Sequence, residues 1–142
     1  MILEGAQSGQ RTPMVYAIYS SAERAAYVGS TACTAYRRYS VHRGQLRGGM
    51  HHCRALQSAW QRFGEDAFTM VVLETIGAAE PLLDAEYRWM EQVAADGYAL
   101  YNPQSLRCVG CSGRLRANGR VRYCSTECRV KAWRKKRKES PE

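Results

Sequence analysis

In VYAIYSSAERAAYVGS, residues 15–30, two runs of β-branched and aromatic residues flank a polar segment. Val15–Tyr19 and Tyr27–Gly29 have the composition of strands, and the polar segment between them suits a turn, so the stretch predicts a β-hairpin. A tyrosine, Tyr19, ends the first run and another, Tyr27, opens the second. Buried tyrosines need a partner for the hydroxyl. These two either complete a small core or aim their hydroxyls at something that is not protein.

Outward from the hairpin, the chain of 142 residues is long enough for one domain and a small appendage. Its apolar content, 45%, allows a modest core. No run is long and apolar enough to span a membrane, so no membrane association is expected. Residues 1–12 lack the basic and apolar regions of a secretory signal and are expected to be a flexible tail. Residues 1–107 carry ten Lys/Arg and ten Asp/Glu, while residues 108–142 carry eleven and three. The whole net charge of +8 therefore lies in the last segment, which points to a polyanion partner or to a solvated basic tail.

Downstream of the hairpin, STACTAYRRYSVHRGQLRGG reads as a helix capped by Ser30 or Thr31 and ended by Gly48–Gly49. Arg38 and His42 are four apart and share a face. HHCRALQSAWQRFG is a second helix, with Cys53, Leu56, Ala59, Trp60 and Phe63 as its apolar stripe and Gly64 past its end. AFTMVVLETI reads as a central strand. EPLLDAEYRWMEQVAADG is a third helix, bounded by Pro81 and Gly97. Its apolar stripe of Leu82, Trp89 and Val93 contains Glu86, a costly carboxylate unless an arginine such as Arg38 or Arg62 pairs with it or it binds a cation. GYALYNPQ closes the module, with the boundary at 103–107.

Taken together, AIY (17–19), YVG (27–29), Arg38 and His42 on the next helix, His51 before LQSAWQRFG, VVLE, EYRW with Glu86, and Tyr101–Asn102 resemble the GIY-YIG endonuclease family, homing type, in order and rough spacing. There are departures. Ala17 stands where the family usually has glycine, the segment between the two tripeptides is shorter than usual, and an extra residue lies between Gly29 and His42. The extra residue leaves Arg37 or Arg38 as the catalytic arginine, and the shared face with His42 favours Arg38. The resemblance implies an α+β fold, a three-stranded antiparallel sheet flanked by helices, over residues 13–103. It implies phosphodiester hydrolysis with Mg2+ (or Mn2+) held by Glu86, a carboxylate-plus-phosphate setting that suits an ion which keeps its waters. Arg38 would stabilise charge on the phosphate, and Tyr19 would act as general base or position the water. Tyr27, His42 and His51 would position water or phosphate, with His42 able to help proton transfer, and Asn102 would bond to a tyrosine or to phosphate.

In the second segment, Cys108, Cys111, Cys124 and Cys128 form C-x2-C and C-x3-C pairs. Four soft ligands at this spacing fit a closed tetrahedral Zn2+ site, and so short a segment needs such a staple. It resembles a treble-clef-like zinc finger over 108–138, joined by a linker at 104–107, with 139–142 as a tail. Gly113, Ala117–Gly119 and Arg120–Tyr123 read as a hairpin, and Ser125 as the cap of a helix that places Cys128 in its first turn. Val130 and Trp133 are expected to face the finger, while Arg129, Lys131, Arg134, Lys135, Lys136, Arg137 and Lys138 project outward to bind the DNA backbone.

The expected protein is thus a cytoplasmic, metal-dependent endonuclease of mobile-element or phage type on double-stranded DNA, monomeric or transiently dimeric. A nuclease for branched DNA and a catalytically weak DNA-binding module are the alternatives.

Overall fold

The computed structural model describes residues 1–5, 11–102, 108, 110–111, 113 and 123–139. Two compact units divide the chain at Asn102/Pro103, at the front of the expected boundary.

The first unit is built on a mixed sheet of five strands in the order β1-β4-β2-β3-β5. The strands are β1 (Ile2–Glu4), β2 (Met14–Ser20), β3 (Ala25–Thr31), β4 (Phe68–Thr75) and β5 (Ala99–Leu100). Its centre is the expected three-stranded antiparallel piece, β4-β2-β3, with β2 in the middle and buried along nearly its whole length. The hairpin of β2 and β3 is longer than the sequence suggested, and Ser20 Oγ closes its turn by accepting from the amides of Ala22 and Glu23. The edges β1 and β5 pair parallel to β4 and β3. The expected flexible tail is therefore corrected at its start. Ile2–Glu4 is an edge strand that hydrogen-bonds beside β4, and Met1 is buried in the core. A three-residue strand is too short for period-2 alternation to reveal it. Residues 6–10 lie outside the described set.

Alternation on β2 and β3 sorts the side chains onto two faces. On one face Tyr16, Ile18 and Tyr27 join Phe68 and Met70 of β4 and pack under α1 (Ala35–Arg47) and α2 (Arg54–Phe63). Leu46, Cys53, Leu56, Ala59 and Trp60 supply the helical side of that core. Val15, Ala17 and Val28 point the other way and are also buried. The third helix, α3 (Leu82–Ala95), packs on β2 and β3 and buries Ala85, Tyr87, Met90 and Val93. Its start after Pro81 and its end before Gly97 agree with the sequence, and Gly97 takes a φ of 90°.

Helix α1 begins later than expected. β3 runs on to Thr31, so Ser30 and Thr31 are strand residues, and Thr34 caps the helix by accepting from the Arg37 amide. In the second unit, α4 (Thr126–Glu139) carries Cys128 in its first turn. Ser125 caps it as expected, its Oγ accepting from the Cys128 amide at 3.2 Å. The expected hairpin between the cysteine pairs, the 104–107 linker and residues 140–142 lie outside the described residues. Among those described, no helix is long and apolar enough to cross a membrane.

Candidate active site and metal centre

Tyr16 is the hub of the first unit's polar cluster. Its hydroxyl lies 2.6 Å from His42 Nε2 and accepts from Arg38 Nε at 2.9 Å. A register shift between β2 and β4 falls between Val15 and Tyr16, the kind of irregularity that re-aims a side chain. Tyr16 lies directly across from Gly29, and a Cβ there would come within 2.5 Å of the Tyr16 hydroxyl. The glycine of YVG is thus needed because the tyrosine ring crosses it.

His42 is fully buried, and its Nδ1 lies 2.7 Å from Nε2 of the buried His51. The His51 Nδ1 accepts from the Cys53 amide at 3.1 Å. Gln57 holds this turn in place, accepting from the His51 amide and donating to the Leu46 carbonyl, both at 3.0 Å. Tyr27 lies alongside. Its hydroxyl is 3.1 Å from His52 Nε2, and the His51 and His52 rings stack at 4.4 Å.

Burial sets the electrostatics of this cluster. It pushes the Tyr16 hydroxyl up to about 12, against the pull of the Arg38 guanidinium, and pushes Tyr27 well above the ordinary phenol range. It holds His42 down at about 2, assisted by the positive charge of Arg38, and His51 at about 4, assisted by His52. Both imidazoles are therefore neutral at physiological pH.

Glu86 comes from α3 and bonds to Ser30, whose Oγ donates to its Oε2. Ser30 belongs to the strand face opposite Tyr16, but past Val28 the outer edge of β3 carries no strand, and Glu86 still feels the charge of Arg38. Burial raises its carboxyl above the usual range, partly offset by Ser30 and then Arg38. The arginine pairing that would have made Glu86 purely structural is not what the fold builds. Arg62 pairs with Glu23 and Arg38 Nε with Tyr16, and among the described residues no cationic side chain forms an ion pair with Glu86. Its second oxygen suits a divalent cation, so the donor chemistry fits the expected ion.

Tyr27, Arg38, His42, His51 and Glu86 are thus gathered around one end of β3. Arg37 is exposed, which leaves Arg38 as the arginine of the cluster. Two expected positions are corrected. Tyr19 is not in the cluster. Three residues along a strand from Tyr16, it points to the other face, packs on Tyr98 at 5.0 Å, and is influenced by Tyr98 and Asp96. Asn102 uses both ends of its amide on the Val28 backbone, accepting from its N–H at 2.8 Å and donating to its carbonyl at 2.7 Å. It extends the pairing of β3, and the bonds it makes here are to backbone rather than to a tyrosine. The residues missed by sequence are Tyr16, Ser30, His52 and Gln57. The short gap between the tripeptides was the available signal for Tyr16, because setting the first tyrosine three residues earlier lengthens that gap.

In the second unit, Cys108, Cys111, Cys124 and Cys128 place their Sγ atoms within 4.8 Å of one another, with Cys111–Cys124 at 3.6 Å and Cys124–Cys128 at 3.4 Å. Zinc–sulfur bonds of about 2.3 Å put tetrahedral thiolates about 3.8 Å apart, so the set fits Zn2+. The amides of Gly110 and Cys124 each donate to Cys108 Sγ at 3.3 Å. Burial alone would push the Cys108 thiol up, but amide donors outweigh it and bring the thiol to about 6. A Cβ on Gly110 would run into the backbone of Cys128, so the turn between the first two cysteines needs this glycine. The finger residues that Val130 and Trp133 were expected to face lie outside the described set. Val130 and Trp133 themselves are 37% and 57% exposed, and the Arg137 guanidinium lies over the Trp133 ring at 4.7 Å. Arg129, Lys131, Arg134, Lys135 and Arg137 are exposed, while the side chains of Lys136 and Lys138 lie outside the described set.

The family model of the GIY-YIG catalytic domain matches residues 12–102. This chain belongs to the GIY-YIG endonuclease family. Its GIY-YIG domain resembles the catalytic domain of the homing endonuclease I-TevI, with a TM-score of 0.54 and 22% identity over 61% of this chain and 94% of that one. A point variant of the catalytic domain of intron endonuclease I-TevI gives a TM-score of 0.54 and 21% identity over 62% and 90%. No curated protein matches the chain.

Proposed function

We propose that the GIY-YIG domain hydrolyses phosphodiester bonds of double-stranded DNA with a divalent metal ion at Glu86, and that the four-cysteine unit holds Zn2+ and tethers the enzyme to the DNA backbone. The observation that carries this reading is the half-buried Glu86 carboxylate, bonded to Ser30, without an ion-pair partner among the described residues, and within the influence of Arg38.

A bound Mg2+ (or Mn2+) supplies positive charge at the phosphate and acidifies bound water. Arg38 spends Nε on Tyr16, which leaves its two Nη groups for a phosphate oxygen. Tyr16, rather than Tyr19, would take a proton from attacking water as its phenolate, once its own hydroxyl proton has passed to solvent. The phosphorus–oxygen bond to the leaving sugar then breaks, and that oxygen collects a proton from solvent. Tyr27, His42 and His51 position these groups. Asn102 belongs to the scaffold. The homing-like segment from His51 to Gly64 and the likeness to a homing endonuclease support a mobile-element or phage type. A site of four thiolates requires a reducing compartment, in keeping with the cytoplasm. One active site cuts one strand at a time, so a double-strand break would need a transient dimer or rebinding.

Nicking of supercoiled plasmid, with Mg2+ or EDTA, tests the reading. Mg2+-dependent nicking is expected, abolished in Glu86→Gln and reduced about 10²–10³-fold in Arg38→Ala, with gel-shift binding retained. Binding without cleavage of either plasmid or branched oligonucleotides would make the protein a DNA-binding module instead.

A further inference from the structure

The hydrogen-bond chain from the Cys53 backbone to Tyr16 has a direction that only one assignment of protons satisfies. It begins at a group that can only donate, the Cys53 amide, which points at His51 Nδ1 at 3.1 Å. His51 Nδ1 therefore carries no proton. A neutral imidazole has one N–H, so His51 Nε2 carries it and donates to His42 Nδ1, 2.7 Å away. His42 Nδ1 is then an acceptor, and the His42 proton sits on Nε2, which faces the Tyr16 hydroxyl at 2.6 Å. The reverse direction would need both nitrogens of His51 to be bare, which no neutral imidazole allows.

We infer that the Cys53 amide, acting through His51, locks His42 as a donor, so that His42 and Arg38 both donate to the Tyr16 oxygen and His42 never accepts the tyrosine's proton. His51 is in this sense a positioning residue. The inference rests on the nuclease reading of the cluster and gives each of its histidines a fixed role. It gives His42 a role other than the proton transfer expected of it.

Two consequences follow from the geometry. Two donors on one phenol oxygen, one of them a guanidinium, pull Tyr16 toward the phenolate and so oppose the burial that raises its hydroxyl. With both acceptor positions used, the hydroxyl's own hydrogen has to point away from His42 and Arg38, so the proton Tyr16 gives up and takes back exchanges elsewhere than through the imidazoles. The burial that keeps His42 and His51 neutral fits a lock that does not titrate during turnover.

The test is 15N NMR of histidine-labelled protein with its zinc in place, read without DNA or added Mg2+, beside plasmid nicking by the same samples. The wild type should show bare Nδ1 and protonated Nε2 at both His42 and His51. His51→Gln can still donate an amide proton to His42 Nδ1, so it should keep the His42 tautomer and lose less than tenfold in kcat. His51→Glu presents only acceptors, so it should put a proton on His42 Nδ1 and lose about 10³–10⁴-fold, as a wrong tautomer does in a hydrolase triad. A protonated Nδ1 on His42 in the wild type would overturn the inference, whatever the variants do. Equal losses in the two variants with an unchanged His42 tautomer would also overturn it. A wild type that shows the expected tautomers but cuts no DNA would strike the nuclease reading alone.

Discussion

Residues 1–102 hold their chemical groups by burial, whereas residues 103–142 hold theirs by sulfur. In the first unit a central strand, β2, is covered on both faces, and the histidines and tyrosines are fixed by hydrogen bonds inside the core. In the second, four cysteines converge, while the neighbouring helix leaves Trp133 and its arginines to solvent. The charges divide in the same way, with zero net charge on residues 1–107 and +8 on the remainder. One unit excludes water to tune a few groups, and the other displays cations to water.

The largest expected effect breaks the comparison at the four cysteines. Structural zinc contributes on the order of 10–16 kcal/mol to a small finger's folding. Cys124→Ala should therefore abolish zinc binding and unfold α4, seen as lost metal by mass spectrometry and lost protection in hydrogen exchange. Protection of the β2 and β3 amides should stay as it was. Loss of protection in both units would mean that they fold as one body.

Within the first unit, the two tyrosines on opposite faces of β2 sharpen the contrast between a buried site and a mere core. Tyr16→Phe should cut nicking about 10²–10³-fold, the range for a general base and its charge partners, while Tyr19→Phe should stay within about twofold. Equal losses would refute the placement of the site on the Tyr16 face. A Gly29→Ala change should act like Tyr16→Phe, because the new methyl displaces the same hydroxyl.

Tyr16 also shows what a sequence conveys and what it withholds. The order of strands and helices, the glycines that end α2 and α3, and the shared face of Arg38 and His42 were legible because period, spacing and punctuation carry them, while His51 and Glu86 joined them through the family resemblance. The tyrosine was not, because two tyrosines three apart on one strand look alike until the register assigns faces, and a one-residue change of register reverses them. β1 was hidden by its brevity and by pairing parallel with a strand about 65 residues later in the chain, which local pattern cannot express. Asn102 was legible as a site neighbour but not as a backbone clamp. His52 and Gln57 matter only through the turn they share with His51.

Burial of neutral histidines has a cost that the exposed finger does not share, and pH measures it. His42 and His51 are held at about 2 and about 4 in the fold, whereas an unfolded histidine titrates near 6.5. Below about pH 6.5 the unfolded chain takes up protons that the fold refuses, so stability falls as pH drops from 6.5 toward 4. Each histidine adds a slope of about 1.4 kcal/mol per pH unit in that window. Urea midpoints or exchange of the β2–β3 amides at pH 7.5, 6 and 5, chosen to span about 6.5, should show the decline. A flat profile would mean that these histidines are accessible to protons in the fold.

The smallest effect concerns the charges of the second unit, and it separates binding from chemistry. Each phosphate contact made by Lys or Arg adds about 0.9 to the slope of log affinity against log salt. Arg129 and Arg134 are exposed on α4, and changing both to Ala should lower that slope by about 2. Affinity should weaken to a similar degree on unrelated DNA sequences, because phosphate contacts carry no base information. The nicking rate at saturating enzyme should not change, since neither arginine belongs to the cluster around Tyr16. A slope left as in the wild type would show that the basic helix is a solvated face, and DNA affinity would then have to come from the nominally neutral nuclease unit. There the exposed Arg37, close to the site on α1, would be the first cation to remove.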